Sequence, residues 1–288
     1  MPDASVQRTA GTRDAWTGGE AYEPFIGRWS RLVAAEFVAW LQVSRGATWL
    51  DVGCGTGALT SAIVMAADPA HVVGIDASPA YAAFARDRIG DAPARFAVAD
   101  ARALPLPSDS ASAAVSGLVL NFVPAPERAV AELARVTRPG GVVACYVWDY
   151  ADRMELLRHF WDAAATLDPR ARELDEGLRF PVCEPHALEA LWRAADLEDV
   201  WSRAIDVPTR FRDFAEFWRP FLGGQGPAPG YVATLDAPRR EALRAALEAR
   251  LPRSLDGSIA LTARAWAVRG RRRQGSSRET RPSDERSA

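Results

Sequence analysis

Acidic residues and glycines in the first part of the chain have types and spacings suited to holding a small ligand. Three glycines alternate with other residues in the run GCGTG at residues 53–57, and Asp51 comes two residues before the run. Glycines in such a loop allow the backbone to approach a ligand that side chains would keep away. A carboxylate so close to the loop would repel a pyrophosphate, and it favours a ligand that carries a positive charge.

Two further aspartates follow the next two hydrophobic runs. Asp76 ends the run HVVGID, 19 residues beyond Gly57, and Asp100 follows the run FAVA. In dinucleotide-binding folds an acid about 20 residues beyond the loop accepts hydrogen bonds from ribose hydroxyls, and this geometry applies to any adenosine. The three acids together predict binding of an adenosine that bears an amino-acid cation. S-adenosylmethionine is such a molecule.

The elements that must position these residues alternate between residues 48 and 148. Short apolar runs, typical of strands buried on both faces of a parallel sheet, are separated by segments with helical periodicity. This rhythm predicts an α/β fold with a Rossmann-like, doubly wound sheet, whose carboxyl edge would carry all three acids. The predicted strands are residues 49–52, 71–75, 95–98, 113–120 and 142–148, and the predicted helices are residues 58–67, 79–89 and 126–136.

Further elements flank this region. A helix is predicted at residues 29–41, and two more at residues 154–167 and 185–195. Two late strands, at residues 200–207 and 259–268, are expected to lie antiparallel at the edge of the otherwise parallel sheet.

The domain organisation follows from these elements. Residues 22–269 are expected to be one domain, with residues 208–255 inserted as a helical lid over the substrate. The insertion is predicted to hold two helices and a glycine-proline turn. Residues 1–21 are expected to be a flexible segment. Residues 270–288 are polar and charged and are expected to be a disordered tail.

Spacing and composition exclude two other nucleotide-dependent functions. A phosphate-binding P-loop requires lysine followed by serine or threonine after its last glycine, where this chain has Ala58 and Leu59. A nicotinamide-dependent oxidoreductase with a Tyr-x-x-x-Lys proton donor is excluded because the chain contains no lysine. The glycine spacing also differs from the dinucleotide fingerprint G-x-G-x-x-G.

Composition indicates an ordinary soluble protein. Apolar residues make up 48% of the chain and charged residues 25%, and the net charge of -2 gives no reason to expect a nucleic-acid partner. No secretory signal and no apolar run of about 18 to 20 residues is found, so we expect a cytoplasmic protein with no membrane span. The three cysteines and three histidines lack metal-ligand spacing, and no metal is expected. A monomer or homodimer is expected.

Five segments make the chain recognisable. It resembles the class I S-adenosylmethionine-dependent methyltransferases, most closely the branch with the ubiquinone/menaquinone-type and small-molecule enzymes. The resemblance covers residues 22–149 well and the later region in outline. The segments that carry it are LDVGCGTG (50–57), VVGIDASP (72–79), ADARALPLP (99–107), SGLVLNFVPAPERAVAELARVTRPGG (116–141) and VVACYVWD (142–149).

The resemblance implies a set of cofactor-binding residues. The loop would pass beneath the methionine part of S-adenosylmethionine, with Asp51 bonding its amino group, Asp76 its ribose and Asp100 its adenine. Tyr22 and Arg28 lie in the segment that in related enzymes closes over the cofactor carboxylate. The implied cofactor-binding residues are Asp51, Gly53, Gly55, Thr56, Gly57, Asp76, Ala77, Asp100, Ala101, Leu118, Asn121, Tyr22 and Arg28.

The acceptor is expected to be a small apolar or aromatic molecule. Aromatic residues are concentrated in the N-terminal segment and in the predicted lid, and Trp29, Trp148, Phe214 and Trp218 are the candidates for contact with the acceptor. Methyl transfer needs a base only where the acceptor holds a proton, and His159, Asp149 and Tyr150 are the candidate catalytic residues.

Two subclasses of methyltransferase fit the sequence poorly. Residues 121–124 read NFVP, without the Pro-Pro pair of the amino-methylating nucleic-acid enzymes. They also lack the acid pair with which catechol-type enzymes hold Mg²⁺. The alternative to an enzyme is a non-catalytic protein of the same fold that binds S-adenosylmethionine in a regulatory or accessory role.

Overall fold

The computed structural model describes residues 26–224 and 226–274. In this part of the chain seven strands form one sheet in the order β3-β2-β1-β4-β5-β7-β6. Strands β1 to β5 run parallel, and β7 runs antiparallel to both β5 and β6. The strands are β1 (Thr48–Val52), β2 (His71–Asp76), β3 (Ala94–Val98), β4 (Ala111–Gly117), β5 (Thr137–Trp148), β6 (Leu197–Phe211) and β7 (Ile259–Arg272).

The predicted fold class is confirmed. The parallel part of the sheet is doubly wound from β1, and the antiparallel strand β7 lies one position in from the edge, between β5 and β6. Strands β4 and β5 are buried almost throughout, which explains their continuous apolar runs.

Ten α-helices surround the sheet within the described residues. The helices predicted at residues 79–89 and 126–136 have the bounds that the sequence indicates. Both begin at a proline, which suits a first helical turn because its missing N–H has no partner there. The helices are α1 (Arg28–Leu41), α2 (Ala58–Ala66), α3 (Pro79–Ile89), α4 (Pro126–Val136), α5 (Glu155–Leu167), α6 (Glu176–Arg179), α7 (Pro185–Ala194), α8 (Phe214–Trp218), α9 (Pro227–Thr234) and α10 (Ala237–Arg250).

The insertion differs from the prediction of two helices and a glycine-proline turn. It holds three α-helices, α8 to α10, and a 3₁₀ segment at Arg219–Gly223. Gly226 and Pro227 begin α9, with Gly226 as its N-cap and Pro227 in its first turn. Asp213 and Asp236 cap α8 and α10 by accepting hydrogen bonds from backbone N–H groups in the first turn of each helix.

The start of the predicted tail was wrong, because β7 continues to Arg272. Arg271 pairs with Val142 of β5, and Arg272 pairs with Leu197 of β6. The arginines at this strand end give it a polar composition, which does not reveal that its backbone pairs with strands distant in the sequence. The flexible segment predicted at residues 1–21, and the rest of the tail beyond residue 274, lie outside the described residues. None of the helices described in residues 26–274 has the length and apolar character to cross a membrane.

Arg272 ties the end of β7 to the end of α4. Its Nη1 lies 2.6 Å from the carbonyl oxygen of Ala134, 3.1 Å from that of Arg135 and 2.9 Å from that of Thr137. The last carbonyls of a helix have no partner within the helix, and a cation beside them also complements the helix dipole. The guanidinium of Arg272 therefore supplies hydrogen-bond donors to the carbonyls at the end of α4, the helix that precedes β5.

Replacing Arg272 by alanine is expected to lower the free energy of unfolding by about 1.5–3 kcal/mol, the typical worth of hydrogen bonds to a charged group. Urea denaturation at constant m-value measures the change. Arg138→Ala, an exposed neighbour on β5, is the matched control and should change stability little. Equal losses in the two variants would contradict the role assigned to Arg272.

Candidate active site

A cleft opens at the carboxyl edge of the parallel strands, where ligands bind in folds of this class. It encloses about 960 Å³ of empty space, part of it open to solvent. The described residues that line it are Ile26, Ser30, Gly53, Cys54, Gly55, Thr56, Ala58, Leu59, Asp76, Ala77, Ser78, Tyr81, Gly117, Leu118, Val119, Phe122, Tyr146, Trp148 and Tyr150. The loops after β1, β2 and β4 and the end of β5 supply most of this lining.

The glycine loop after β1 needs its glycines for different reasons. All three have positive φ, at 75° for Gly53, 50° for Gly55 and 81° for Gly57. A Cβ on Gly53 would lie 2.5 Å from Cγ1 of Val119, so this glycine allows close packing against the loop after β4. A Cβ on Gly55 would have no contact nearer than 3.9 Å. Gly55 therefore leaves open space beside the cleft that a ligand can fill.

Asp76 faces the cleft from the end of β2. Its Oδ2 accepts a hydrogen bond of 2.9 Å from the backbone N–H of Gly55, and its Oδ1 accepts one of 2.8 Å from that of Ser78. Burial raises the pKa of this carboxyl, and the two hydrogen bonds oppose the rise. Each oxygen keeps a further lone pair, which suits a ligand with two adjacent hydroxyl donors.

Asp51 lies behind the loop and is fully buried. Its Oδ2 accepts a hydrogen bond of 2.5 Å from the Thr60 hydroxyl, whereas its Oδ1 is buried without a hydrogen-bond partner. Burial raises the pKa of Asp51 to about 7, and the nearby charge of Asp76 adds to the rise. An unpartnered carboxylate oxygen at this depth is costly, and it fits a cationic donor or a water delivered to the loop.

Asp100 and Ala101 follow β3 outside the cleft lining. Asp100 is exposed, and both of its carboxylate oxygens accept hydrogen bonds from the side chain of Arg102, the shortest of them 2.6 Å. These bonds hold the pKa of Asp100 at about 2. The structure thus gives Asp100 an internal partner, which the strand-end pattern did not indicate.

The chain bends sharply after β4. Leu118 lines the cleft with a φ of 61°, a conformation that is strained for a leucine. Its N–H donates to the carbonyl of Tyr146, which holds the bend. Three residues later, Asn121 is buried and neither polar atom of its amide has a hydrogen-bond partner. Strain and an unsatisfied amide in one short segment are typical of a functional site.

Aromatic side chains form the wall opposite Asp76. Tyr146 and Trp148 lie two positions apart at the end of β5, on the same face, and Tyr150 lies in the turn that follows the strand. Phe122 adds a ring from the loop after β4, and Phe180 packs behind it and behind Tyr150, with ring centroids 5.3 Å and 6.0 Å away. Of the predicted acceptor-contact residues, Trp148 lies in the cleft.

The other predicted contact residues pack away from the cleft. Phe214 and Trp218 stack on each other with ring centroids 6.5 Å apart, and neither lines the cleft. Trp29 is buried against Phe211 at 5.6 Å. Arg28 lies over both of those rings and donates to Glu216 over 3.2 Å. The aromatics of the insertion therefore pack on one another and on rings of α1 and α5.

Two of the three candidate catalytic residues also lie elsewhere. His159 lies on α5 towards α10, where burial lowers its pKa and the charges of Glu155 and Arg250 act on it. Asp149 is buried, accepts a hydrogen bond of 3.2 Å from the N–H of Asp152, and has a pKa raised by burial. Only Tyr150 of this set lines the cleft. Tyr22, the remaining predicted residue, falls outside the described part of the chain.

Several lining residues were missed by the sequence reasoning. Tyr146 carried a signal, because it precedes Trp148 by two positions and so shares its face of β5. Val119 and Phe122 stand beside residues that were predicted. Ile26, Ser30 and Tyr81 gave no signal, since their place in the cleft depends on how helices pack over the sheet. Within the described residues no group of three or more His, Cys, Asp or Glu side chains is arranged to hold a metal ion.

Comparison with known proteins finds a match for the region that holds the glycine loop and much of the cleft lining. Residues 50–145 match the family described as "Methyltransferase domain". In this region the chain is similar to that family. This match confirms the resemblance inferred from the five segments, for the part of the chain from β1 to β5.

Methyltransferases are also among the curated proteins that are similar to part of the chain. Ubiquinone/menaquinone biosynthesis C-methyltransferase UbiE of Methylobacterium nodulans is 38% identical over 107 residues, 36% of this chain and 42% of that protein. 2-Methyl-6-phytyl-1,4-hydroquinone methyltransferase 2 of Oryza sativa is 36% identical over 119 residues, 41% of this chain and 34% of that protein. The chain thus spans less than half the length of these relatives.

A solved structure shares the fold over most of the chain. Phosphoethanolamine N-methyltransferase 2 of Haemonchus contortus, in complex with S-adenosyl-L-methionine, has a TM-score of 0.56 and 17% identity. The likeness covers 93% of this chain and 59% of that one. At this identity it supports the fold alone.

The buried carboxyl of Asp51 predicts a pH dependence of stability. Its folded pKa of about 7 lies above the value of about 3.9 in an unfolded chain, so the folded protein holds the proton more tightly. The burial of Asp51 therefore lowers the free energy of unfolding only a little near pH 4. The reduction grows up to pH 7, where it reaches as much as about 4 kcal/mol.

Asp51→Asn removes this titration, so the variant should gain stability relative to the wild type as the pH rises from 4 to 7. Urea denaturation across that range measures the difference. Burial also raises the pKa of Glu176 to about 7. Glu176 is present in both proteins, so its effect on stability cancels in the difference between them. The exposed Asp87→Asn is the control, and its difference from wild type should stay flat. A flat difference for Asp51→Asn would show that this carboxyl is ionised without penalty.

Proposed function

We propose that this chain is an S-adenosylmethionine-dependent methyltransferase that acts on a small, uncharged and largely apolar molecule. The observation that carries the proposal is the division of the cleft into two halves of different chemistry. Asp76 and the glycine loop form a polar half, and the aromatic residues after β4 and on β5 form an apolar half. The first suits the cofactor and the second suits the acceptor.

The polar half fits S-adenosylmethionine in three respects. Asp76 offers two carboxylate oxygens at the end of β2, as a ribose diol requires. Gly55 leaves room for a ligand against the backbone. Asp51 keeps a buried oxygen without a partner, which suits the amino group of the methionine part, directly or through a water. Thr56, Ala77 and Leu118 line the same cleft and would complete the contacts.

The apolar half indicates an uncharged acceptor. Asp76 is the only charged side chain among the described residues that line the cleft, although the whole chain carries 35 arginines. A carboxylate or phosphate on the acceptor would find no cation there, and its desolvation would be costly. An acceptor of this kind is a small molecule rather than a nucleic acid.

The residues of the site would act mainly by positioning. When bound, S-adenosylmethionine supplies an electrophilic methyl group. Asp51 and Asp76 would orient the two ends of the cofactor, and the aromatic wall would exclude water and align the acceptor. Tyr150 is the one candidate catalytic residue that reaches the cleft, so proton removal, where the acceptor needs it, would fall to Tyr150 or to water.

The names of the relatives support an acceptor of modest size. They are methyltransferases of ubiquinone/menaquinone biosynthesis and of a phytyl hydroquinone. Both names describe small molecules with an apolar part. The acceptor of this chain is best sought by comparing metabolites of cells with and without the protein, for a gain of one methylene in mass.

Asp76→Asn should weaken the binding of S-adenosylhomocysteine roughly ten- to hundredfold, because a charged acceptor of two hydroxyl hydrogen bonds is lost. Isothermal titration calorimetry measures the change. Asp100→Asn is the matched control and should have a smaller effect, since Asp100 is paired with Arg102 outside the cleft. Wild-type protein without binding at 1 mM ligand, about 4 kcal/mol, would overturn the assignment of the cofactor.

A further inference from the structure

We propose that Tyr146, packed on Gly117, determines the shape of the acceptor and selects a planar aromatic ring. The inference rests on the proposed function and adds to it the class of acceptor. It concerns three residues that we call the β5 stripe, namely Tyr146, Trp148 and Tyr150. All three line the cleft, and each is at least 95% buried.

The position of Tyr146 follows from the pairing of β4 with β5. Gly117, the last residue of β4, lies directly opposite Tyr146 in the parallel register. A Cβ on Gly117 would lie 2.6 Å from the Tyr146 hydroxyl oxygen and 2.9 Å from its Cε1. The hydroxyl end of the Tyr146 ring therefore packs against Gly117, where the side chain of any other residue would push it away.

The backbone holds this contact from the other side. The carbonyl of Tyr146 accepts the N–H of Leu118 at 2.8 Å, and Leu118 has the strained φ of 61°. Phe37 packs against the Tyr146 ring with centroids 4.7 Å apart. The contacts with Gly117, Leu118 and Phe37 thus fix the position of Tyr146. Its ring forms a rigid floor to the apolar half of the cleft.

The stripe continues this floor towards the mouth of the cleft. Trp148 is two residues along the same strand and so presents its ring on the same face as Tyr146. Tyr150 follows and is backed by Phe180. Phe122 approaches from the loop after β4. Rings on a floor and on a side wall favour a flat aromatic guest, because offset stacking and edge contacts add to the burial of area.

The experiment uses two probes with the same carbon skeleton and one hydroxyl, 1-naphthol and decahydro-1-naphthol, which differ in planarity. Binding of each to full-length protein saturated with S-adenosylhomocysteine is measured by ligand-observed NMR titration. We expect 1-naphthol to bind roughly tenfold more tightly, the effect of about 1.4 kcal/mol from ring contacts. Gly117→Ala should reduce 1-naphthol binding at least fivefold while the affinity for S-adenosylhomocysteine stays within twofold.

Trp148→Leu is the second variant and should remove most of the preference for the planar probe. Trp201→Leu, at a site 53% exposed on β6 and away from the cleft, is the matched control and should retain it. If Trp148→Leu loses S-adenosylhomocysteine binding, Tyr150→Leu at the end of the stripe takes its place.

The outcomes separate the two proposals. Wild-type protein that fails to bind S-adenosylhomocysteine would contradict the proposed function. Normal binding of S-adenosylhomocysteine, with equal affinity for the two probes or none for either up to 1 mM, would overturn the role of the β5 stripe alone. The same role is overturned if Gly117→Ala folds and binds 1-naphthol as the wild type does.

Discussion

The hydrogen bonds between the glycine loop and the end of β2 are the constraint on which the site depends. The N–H groups of Gly53 and Cys54 both donate to the carbonyl of Ile75, at 2.7 Å and 3.0 Å, and the N–H of Gly55 donates to the side chain of Asp76. These bonds fix the loop after β1 to the strand beside it. They also aim Asp76 at the cleft, so that one set of contacts shapes the loop and orients its acid.

The electrostatics of the site follow from this close packing. Asp51, Cys54 and Asp76 lie near one another, and burial together with the two carboxylates raises the pKa of the Cys54 thiol well above its usual range. The carboxyls of Asp51 and Asp76 thus lie close together at the loop. A ligand that brings its own positive charge is the natural complement to such a site.

The sequence allowed the polar half of the site to be predicted better than the apolar half. Glycine conformation, proline at a helix start and buried strands are local properties, so the loop, α3, α4 and the sheet could be inferred from residue types. Asp100 was a different case, because the structure pairs its carboxylate with Arg102, only two residues further along the chain. Spacing shows where a carboxylate stands but not which group it binds.

The apolar half depends on contacts between distant segments. Phe214 and Trp218 have the periodicity of a helix that buries one face, and that pattern does not say whether the face meets a ligand or other rings. The floor made by Tyr146 required the register of β4 against β5, which fixes Gly117 beside it. The end of β7 was missed for the same reason, since its pairing partners lie far away in the chain.

The left-handed backbone of Leu118 bears on the balance between the stability of the fold and the shape of the cleft. Glycine would adopt this conformation at lower energy, so the leucine keeps a conformational cost of the order of 1 kcal/mol at the rim of the cleft. Selection for stability alone would favour glycine at this position. Leu118 therefore lowers the stability of the folded protein while it shapes the surface of the cleft. Screening of variants for heat resistance is expected to select substitutions at this position.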